Sequence, residues 1–363
     1  QSRLCPVRDM RVWDGVSDAT IEFHADEVFA STPPSSTEQE VLSYMVEISN
    51  LQQAMFVYLS EHGKGQVEVR DKTRLQNIET HLPGSQADDL ESVADPWPVL
   101  SLSGPDESGH LTARLLIGAD GPNSPVRKYA GIENYGWQYG RRGVVGTLRC
   151  IGSATSSPPD ASNYGHTAFQ RFLPTGPIAF LPLEDSAGSM VWTLPPQYAQ
   201  AVEQLHRDTP ADAPIQPLAE LVSAAFRLPW RQLDALFQRI FAVKEEAKMA
   251  AADGSPEEGR NAEWSWLVKA IAESVEEIGG LEALPDHSQG SVPPPVRSVD
   301  KRSVASFPLQ VKHADAYLGS SLQLSSEGEA PGFKLPSPSR VLTAGLSALG
   351  FAPGGAGANA GKG

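Results

Sequence analysis

Apolar and polar positions alternate in several short stretches near the start of the chain. Met10-Arg-Val-Trp-Asp-Gly15 and Ala19-Thr-Ile-Glu-Phe23 read as two short strands around a polar turn. Residues 31–40, rich in Ser, Thr and Pro, read as a loop. Tyr44 to Leu59 passes from a strand pattern into a helix pattern. Its apolar Leu51, Met55 and Leu59 recur at every fourth residue, Ser49 or Asn50 is available as cap, and the apolar face is expected to pack in a core. Residues 60–113 alternate weakly between Gly, Pro and Asp breaks and suggest antiparallel strands from Gln66 to Arg70 and from Val99 to Leu102. Gly143 to Arg149 is a further strand, followed by a Ser/Pro-rich loop at 152–163. Three more strands follow: Thr167 to Leu173, Pro177 to Leu183 and Ser189 to Leu194, separated by turns at 174–176 and 184–188. Pro177 and Pro182 place the second of these at an edge or a bulge. The rhythm then becomes helical over 199–285, with amphipathic runs at 219–226, 233–241 and 264–278 and a charged, Ala/Gly-rich break at 244–260. Val292-Pro-Pro-Pro295 reads as a rigid linker and Val304 to Leu309 as a last clear strand.

One stretch combines these signals into candidate chemistry. Leu115 to Ile117 is a short apolar run of the kind a fully buried parallel strand shows. It breaks at Gly118-Ala119-Asp120-Gly121. A compact helix signal follows, with Ser124 as cap, Pro125 at the first helical position and Gly131 at the stop. A helix end facing a strand end presents N–H groups to an anion. Arg127 adds a cation there, and Asp120 can accept from a ribose hydroxyl or a water. The arrangement suits a dinucleotide pyrophosphate; a plain turn is the competing reading of the same four residues.

Composition narrows the function classes. The 363 residues are enough for two or three domains, and a net charge of −15 argues against nucleic-acid binding, which needs a basic face. Cys5 and Cys150, the two cysteines, allow neither a disulfide framework nor a cysteine-rich metal site, and the eight histidines lack metal-ligand spacing. No metal ligand is assigned. No apolar run approaches the roughly 20 residues of a membrane span. The chain opens on Gln, carries no targeting signal and reads as if it begins mid-domain.

The segment Arg114 to Gly131 resembles the Asp-Gly motif of the FAD-dependent aromatic hydroxylases, with Gly118, Asp120, Gly121, Ser124 and Arg127 at the matching positions. In that family the motif lies against the FAD pyrophosphate and is implicated in the NADPH step. Gln170-Arg-Phe-Leu-Pro-Thr-Gly-Pro-Ile-Ala-Phe-Leu-Pro-Leu183 is similar to the segment that forms the floor of the substrate domain in the ubiquinone-biosynthesis branch. This implies that Arg171, Phe172 and Pro177 line the substrate cavity. Glu47 and Asn50 fall where the family begins a helix near the flavin. His313-Ala-Asp-Ala-Tyr317 falls where the family chain returns toward the flavin. The resemblance covers about residues 5–318. The family's first glycine-rich turn is not found. Beyond the strand-like Arg340 to Gly345, Leu346 and Leu349 stand where the third flavin motif has an aspartate and a histidine.

The resemblance implies an α/β fold: a partial Rossmann-like FAD/NAD(P)-binding domain and an antiparallel-sheet substrate domain. The expected division is a substrate-domain hairpin at 1–40, a partial FAD-binding domain at 41–140, a substrate domain with a helical insertion at 141–312, and a return segment with a degenerate motif or flexible tail at 313–363. The implied enzyme is a FAD-dependent monooxygenase that hydroxylates C5 of a polyprenyl-hydroxybenzoate in ubiquinone biosynthesis. It would use O₂ and either a ferredoxin system or NAD(P)H. It would work in a biosynthetic complex, peripheral on the matrix side of the mitochondrial inner membrane. No catalytic residue is assigned. Another FAD-dependent phenol hydroxylase and a truncated, non-catalytic chain stay open as alternatives.

Overall fold

The computed structural model describes residues 4–28, 41–79, 97–104, 109–151, 166–183, 186–210, 213, 216–252, 265–285 and 290–319. In chain order the elements begin with β1 (Cys5–Val7), β2 (Asp9–Asp14), β3 (Thr20–His24), α1 (Ala25–Val28), β4 (Ser43–Met45) and α2 (Ile48–His62). They continue with β5 (Arg74–Glu79), β6 (Val99–Ser103), β7 (Gly109–Thr112), α3 (Pro125–Tyr129) and β8 (Asn134–Cys150). Then come β9 (Thr167–Leu173), β10 (Gly176–Pro182), β11 (Ala187–Leu194), α4 (Pro196–Asp208), α5 (Pro217–Arg227), α6 (Trp230–Ala252), α7 (Ser265–Glu277), β12 (Val296–Val299) and β13 (Ala305–Ala314). They form two compact units, one of residues 1–71 and 136–313, the other of 72–135 and 314–363. Residues 41–71, expected with the Asp-Gly segment, belong to the first unit.

The first unit is built on an eight-stranded sheet in the order β12-β8-β11-β10-β9-β2-β3, with β13 also on β8. Neighbours from β8 to β9 are antiparallel, whereas β2 lies parallel to β9 with Asp9 opposite Thr167. Alternation does the rest: Phe169, Ile178 and Trp192 turn to one face and are 0% exposed. On that face they meet Leu205, Phe226 and Phe237 of α4, α5 and α6 in one continuous core. Trp192 and Phe237 pack edge to face with centroids 5.8 Å apart. The helical rhythm after residue 194 is therefore the cover of a sheet face.

Lys301, in the turn between β12 and β13, closes the end of α4. Its Nζ donates to the carbonyls of His206 (2.6 Å), Arg207 (3.1 Å) and Thr209 (2.6 Å). A cation at a helix C-terminus meets both the last free carbonyls and the negative end of the dipole. The buried His206 ring answers from the helix, its Nε2 3.1 Å from the Lys301 carbonyl.

Three expectations are corrected. Residues 66–70 are not a strand; β5 begins at Arg74. Pro177 and Pro182 lie in β10, the middle of the sheet rather than its edge. Both sit near the ends of that strand, where a missing N–H takes no bond from the centre of the ladder. Helix α2 forms as the periodicity predicts, but none of its residues is buried, and Leu51, Met55 and Phe56 are exposed. Its cap position is Glu47, whose carboxylate accepts from the Asn50 side chain at 2.7 Å. Periodicity reports which face would gain from burial; it does not supply the surface that buries it. The strand expected at 340–345, together with Leu346 and Leu349, lies outside the described residues.

Candidate flavin-binding segment and the open sheet face

The second unit carries the Asp-Gly segment beside a three-stranded antiparallel sheet, β5-β6-β7. Residues 113–124 are irregular, and the strand predicted at Leu115–Ile117 does not form. Leu115 is 55% and Ile117 78% exposed. A buried parallel strand needs a sheet partner, and none among the described residues pairs with this run.

The turn and helix follow the prediction. Gly121 has φ +86°, a left-handed conformation open to glycine at no cost. A Cβ on Gly118 would lie 2.9 Å from the Val126 Cβ, so glycine lets the loop rest on α3. Ser124 is the N-cap, and its Oγ accepts the Arg127 N–H at 2.9 Å. Asp120 accepts the Val126 N–H at 3.3 Å and a hydrogen bond from the Ser124 side chain. Partial burial raises the Asp120 pKa, but the bonds from Ser124, Val126 and its own N–H, with the Arg127 charge, together outweigh it and hold the carboxyl below its usual value. At the far end Gly131 N–H donates to Lys128 O and Ile132 N–H to Arg127 O, both at 3.1 Å. The Arg127 guanidinium also turns there, donating to Ile132 O at 2.8 Å. The return segment reaches the same helix: Asp315 N–H donates to Glu133 O at 3.2 Å, and Gly319 packs against Ala130.

The five motif residues thus come together around the start of α3. Asp120 and Ser124 take the first N–H groups of α3, and Arg127 serves a carbonyl. Beside two glycines stands an ionised, exposed carboxylate. That chemistry fits a hydroxyl-bearing ligand segment. A pyrophosphate needs donors and cations, and at the start of α3 the Val126 and Arg127 N–H groups are already held by Asp120 and Ser124.

The residues of the floor segment separate. Arg171 points into the helical core and is 2% exposed. Its Nη1 donates to the carbonyls of Ala225 (2.8 Å) and Leu228 (2.9 Å), at the end of α5. Burial lowers its pKa, and Asp18 and Asp14 partly compensate. Phe172 and Pro177 are cross-strand partners on the opposite face, where Phe172 is 45% exposed. Sequence reasoning missed how far that face extends. There Asp14 stands opposite Phe172, Val12 opposite Gln170 and Met10 opposite Ala168, and Val12 and Met10 pair in turn with Ile21 and Phe23 of the edge strand. The signal was the alternation within residues 9–24.

A family model described as FAD binding domain matches residues 7–225. The chain belongs to this FAD-binding family. Its cofactor is FAD, and its fold is the mixed α/β type with antiparallel sheets. Ubiquinone biosynthesis monooxygenase COQ6, mitochondrial, of Xenopus tropicalis is 30% identical over 87% of this chain and 53% of its own length. The Schizosaccharomyces pombe protein of the same name is 34% identical over 60% of this chain and 36% of its own length. The chain thus spans about half the length of these relatives, or less. Among solved structures, p-nitrophenol 4-monooxygenase PnpA from Pseudomonas putida DLL-E4 aligns with a TM-score of 0.44 and 13% identity, over 86% of this chain and 53% of that one.

Proposed function

We propose that this chain serves a flavin-dependent monooxygenase that hydroxylates C5 of the aromatic ring of a polyprenyl-hydroxybenzoate in ubiquinone biosynthesis. The observation that carries the reading is the family match over residues 7–225 together with 30% identity to a ubiquinone biosynthesis monooxygenase over 87% of the chain. FAD, when bound and reduced, supplies the electrons with which O₂ places one oxygen atom on an electron-rich ring while the other leaves as water. The chain's own residues bind and orient. Asp120 would accept from a hydroxyl of the bound cofactor, and Ser124 holds that carboxylate in place. Gly118 keeps the loop low enough for the approach. Phe172 and Pro177 give the aromatic ring a flat apolar surface. The reductant is NAD(P)H or a ferredoxin system. The relatives' names place them in mitochondria, and the same compartment is proposed here, peripheral to the matrix side of the inner membrane within a biosynthetic complex.

The test is turnover in ¹⁸O₂ with FAD in excess, NADPH or reduced ferredoxin, and 3-farnesyl-4-hydroxybenzoate. The expected product is the ring-hydroxylated compound carrying a single ¹⁸O. Flavin that binds, as read by quenching of its fluorescence, yet gives no hydroxylated product with either reductant would overturn the proposal.

A further inference from the structure

Strand β3 is the outer edge of the large sheet and pairs with β2, with Asp9 directly opposite His24. The chain then turns at once into α1, where Ala25 is buried and its N–H donates to Arg8 O at 2.9 Å. On one face of this hairpin the side chains form a row of charges. His24 Nδ1 lies 2.8 Å from Asp9 Oδ1, and His24 Nε2 lies 3.6 Å from Glu22 Oε2. Arg11 Nη1 closes the row, 2.8 Å from Glu22 Oε1. Glu27 of α1 adds a third carboxylate whose field reaches the ring. Asp26, the other charged residue of α1, accepts the Glu27 N–H at 3.0 Å. The next strand, β9, sets Thr167 opposite Asp9 and Phe169 opposite Arg11, and neither is charged.

A neutral imidazole carries one N–H and one lone pair. It can serve one of these carboxylates, and its other nitrogen then turns a lone pair toward the second. Only the imidazolium donates toward both. With the proton on, Asp9, His24, Glu22 and Arg11 alternate in sign along the row. With the proton off, two carboxylates face a neutral ring, and Glu27 stands beside them. We infer that His24 is a proton-operated fastener of the sheet edge: charged, it clamps β3 and the start of α1 to β2, and neutral, it lets them loosen. The hydrogen bond to Asp9 is the main cause that raises the His24 pKa above 6.5; burial opposes it, and the charges of Asp9, Glu27 and Glu22 add to it. Stabilisation by such a group is complete below pH 6.5 and is lost as pH rises through the raised folded pKa. The fastener therefore opens on the alkaline side. The His24 side chain is 38% exposed, Asp9 24% and Glu22 42%, so solvent screens the row and the effect is modest.

The test is a ¹⁵N-histidine NMR titration of the full chain from about pH 5.5 to about pH 9. Amide hydrogen exchange of residues 20–28 is followed over the same range and corrected for the intrinsic rate. The His24 signals, assigned through His24→Gln or Glu22→Gln, should show both ring nitrogens protonated at the acid end and a midpoint above 6.5. Glu22→Gln should lower that midpoint. Protection of residues 20–28 should fall about two- to fivefold through the titration, the range that an exposed ion cluster commands. His24→Lys, which keeps its charge across the range, should hold protection at the acid level. His24→Gln should hold it at the alkaline level. The titration reads the unsubstituted chain, so a variant that misfolds does not decide the outcome. A His24 midpoint at or below 6.5 overturns the inference. So does protection that falls with pH as steeply in His24→Gln as in the parent, because the edge would then loosen for a reason other than this proton.

Discussion

At the scale of single residues, the loop before α3 is held by two oxygens that also occupy its helix end. Ser124→Ala removes the cap to Arg127 N–H and the bond to Asp120, and should cost about 1 kcal/mol of stability in denaturant unfolding. Ser124→Thr should recover most of it. Cys150 makes a second case. Burial pushes its thiol up to about 12, against the smaller pull of Arg227 and Arg149. The native protein at pH 8 should therefore leave Cys150 unmodified by maleimide, and unfolding should expose it; fast labelling of the native chain would contradict this. The cap and the turn were legible because Ser-Pro and Gly-Asp-Gly are local signals. That Arg127 would serve Ile132 rather than an anion was not legible, since the choice depends on where the chain goes after the helix.

At the scale of elements, two cations fasten helix ends, one from a strand and one from a turn. Arg171 ties β9 to the end of α5, and Arg171→Met should destabilise by roughly 1–3 kcal/mol, because the Ala225 and Leu228 carbonyls lose their buried donor. Lys301 does the same for α4, and its neighbour His206 makes that junction sensitive to pH. Burial, the main cause, and the Lys301 charge lower the His206 pKa from 6.5, although its bond to the Lys301 carbonyl opposes them. The folded state then resists a proton that the unfolded chain accepts. Stability linked to His206 is complete above pH 6.5 and is lost as pH falls through the lowered folded pKa. His206→Gln should flatten that part of the melting temperature against pH. An unchanged slope would mean that the ring takes up its proton equally readily in the folded and unfolded chain.

For the whole molecule, the chain is expected to lose FAD during gel filtration. The pyrophosphate contacts that the spent donors of α3 do not make are each worth about 1–3 kcal/mol. Retention of one flavin per chain would show that other residues provide them. The large antiparallel sheet and its helical cover were legible because period two and period 3.6 each persist over several elements. The apolar runs at Leu115–Ile117 and Leu51–Leu59 misled for a shared reason: hydrophobicity records a demand for burial, and whether it is met depends on partners distant in sequence. One pairing carries that distance into time. Because β2 joins the sheet alongside β9, Asp9 waits for Thr167. A ribosome adding roughly 5–20 residues per second releases the β2–β3 hairpin many seconds before the strand it must join. Throughout that wait Ile21 and Phe23 stand on an unpaired edge, so holding the nascent hairpin apart from its neighbours becomes a task for chaperones rather than for the sequence.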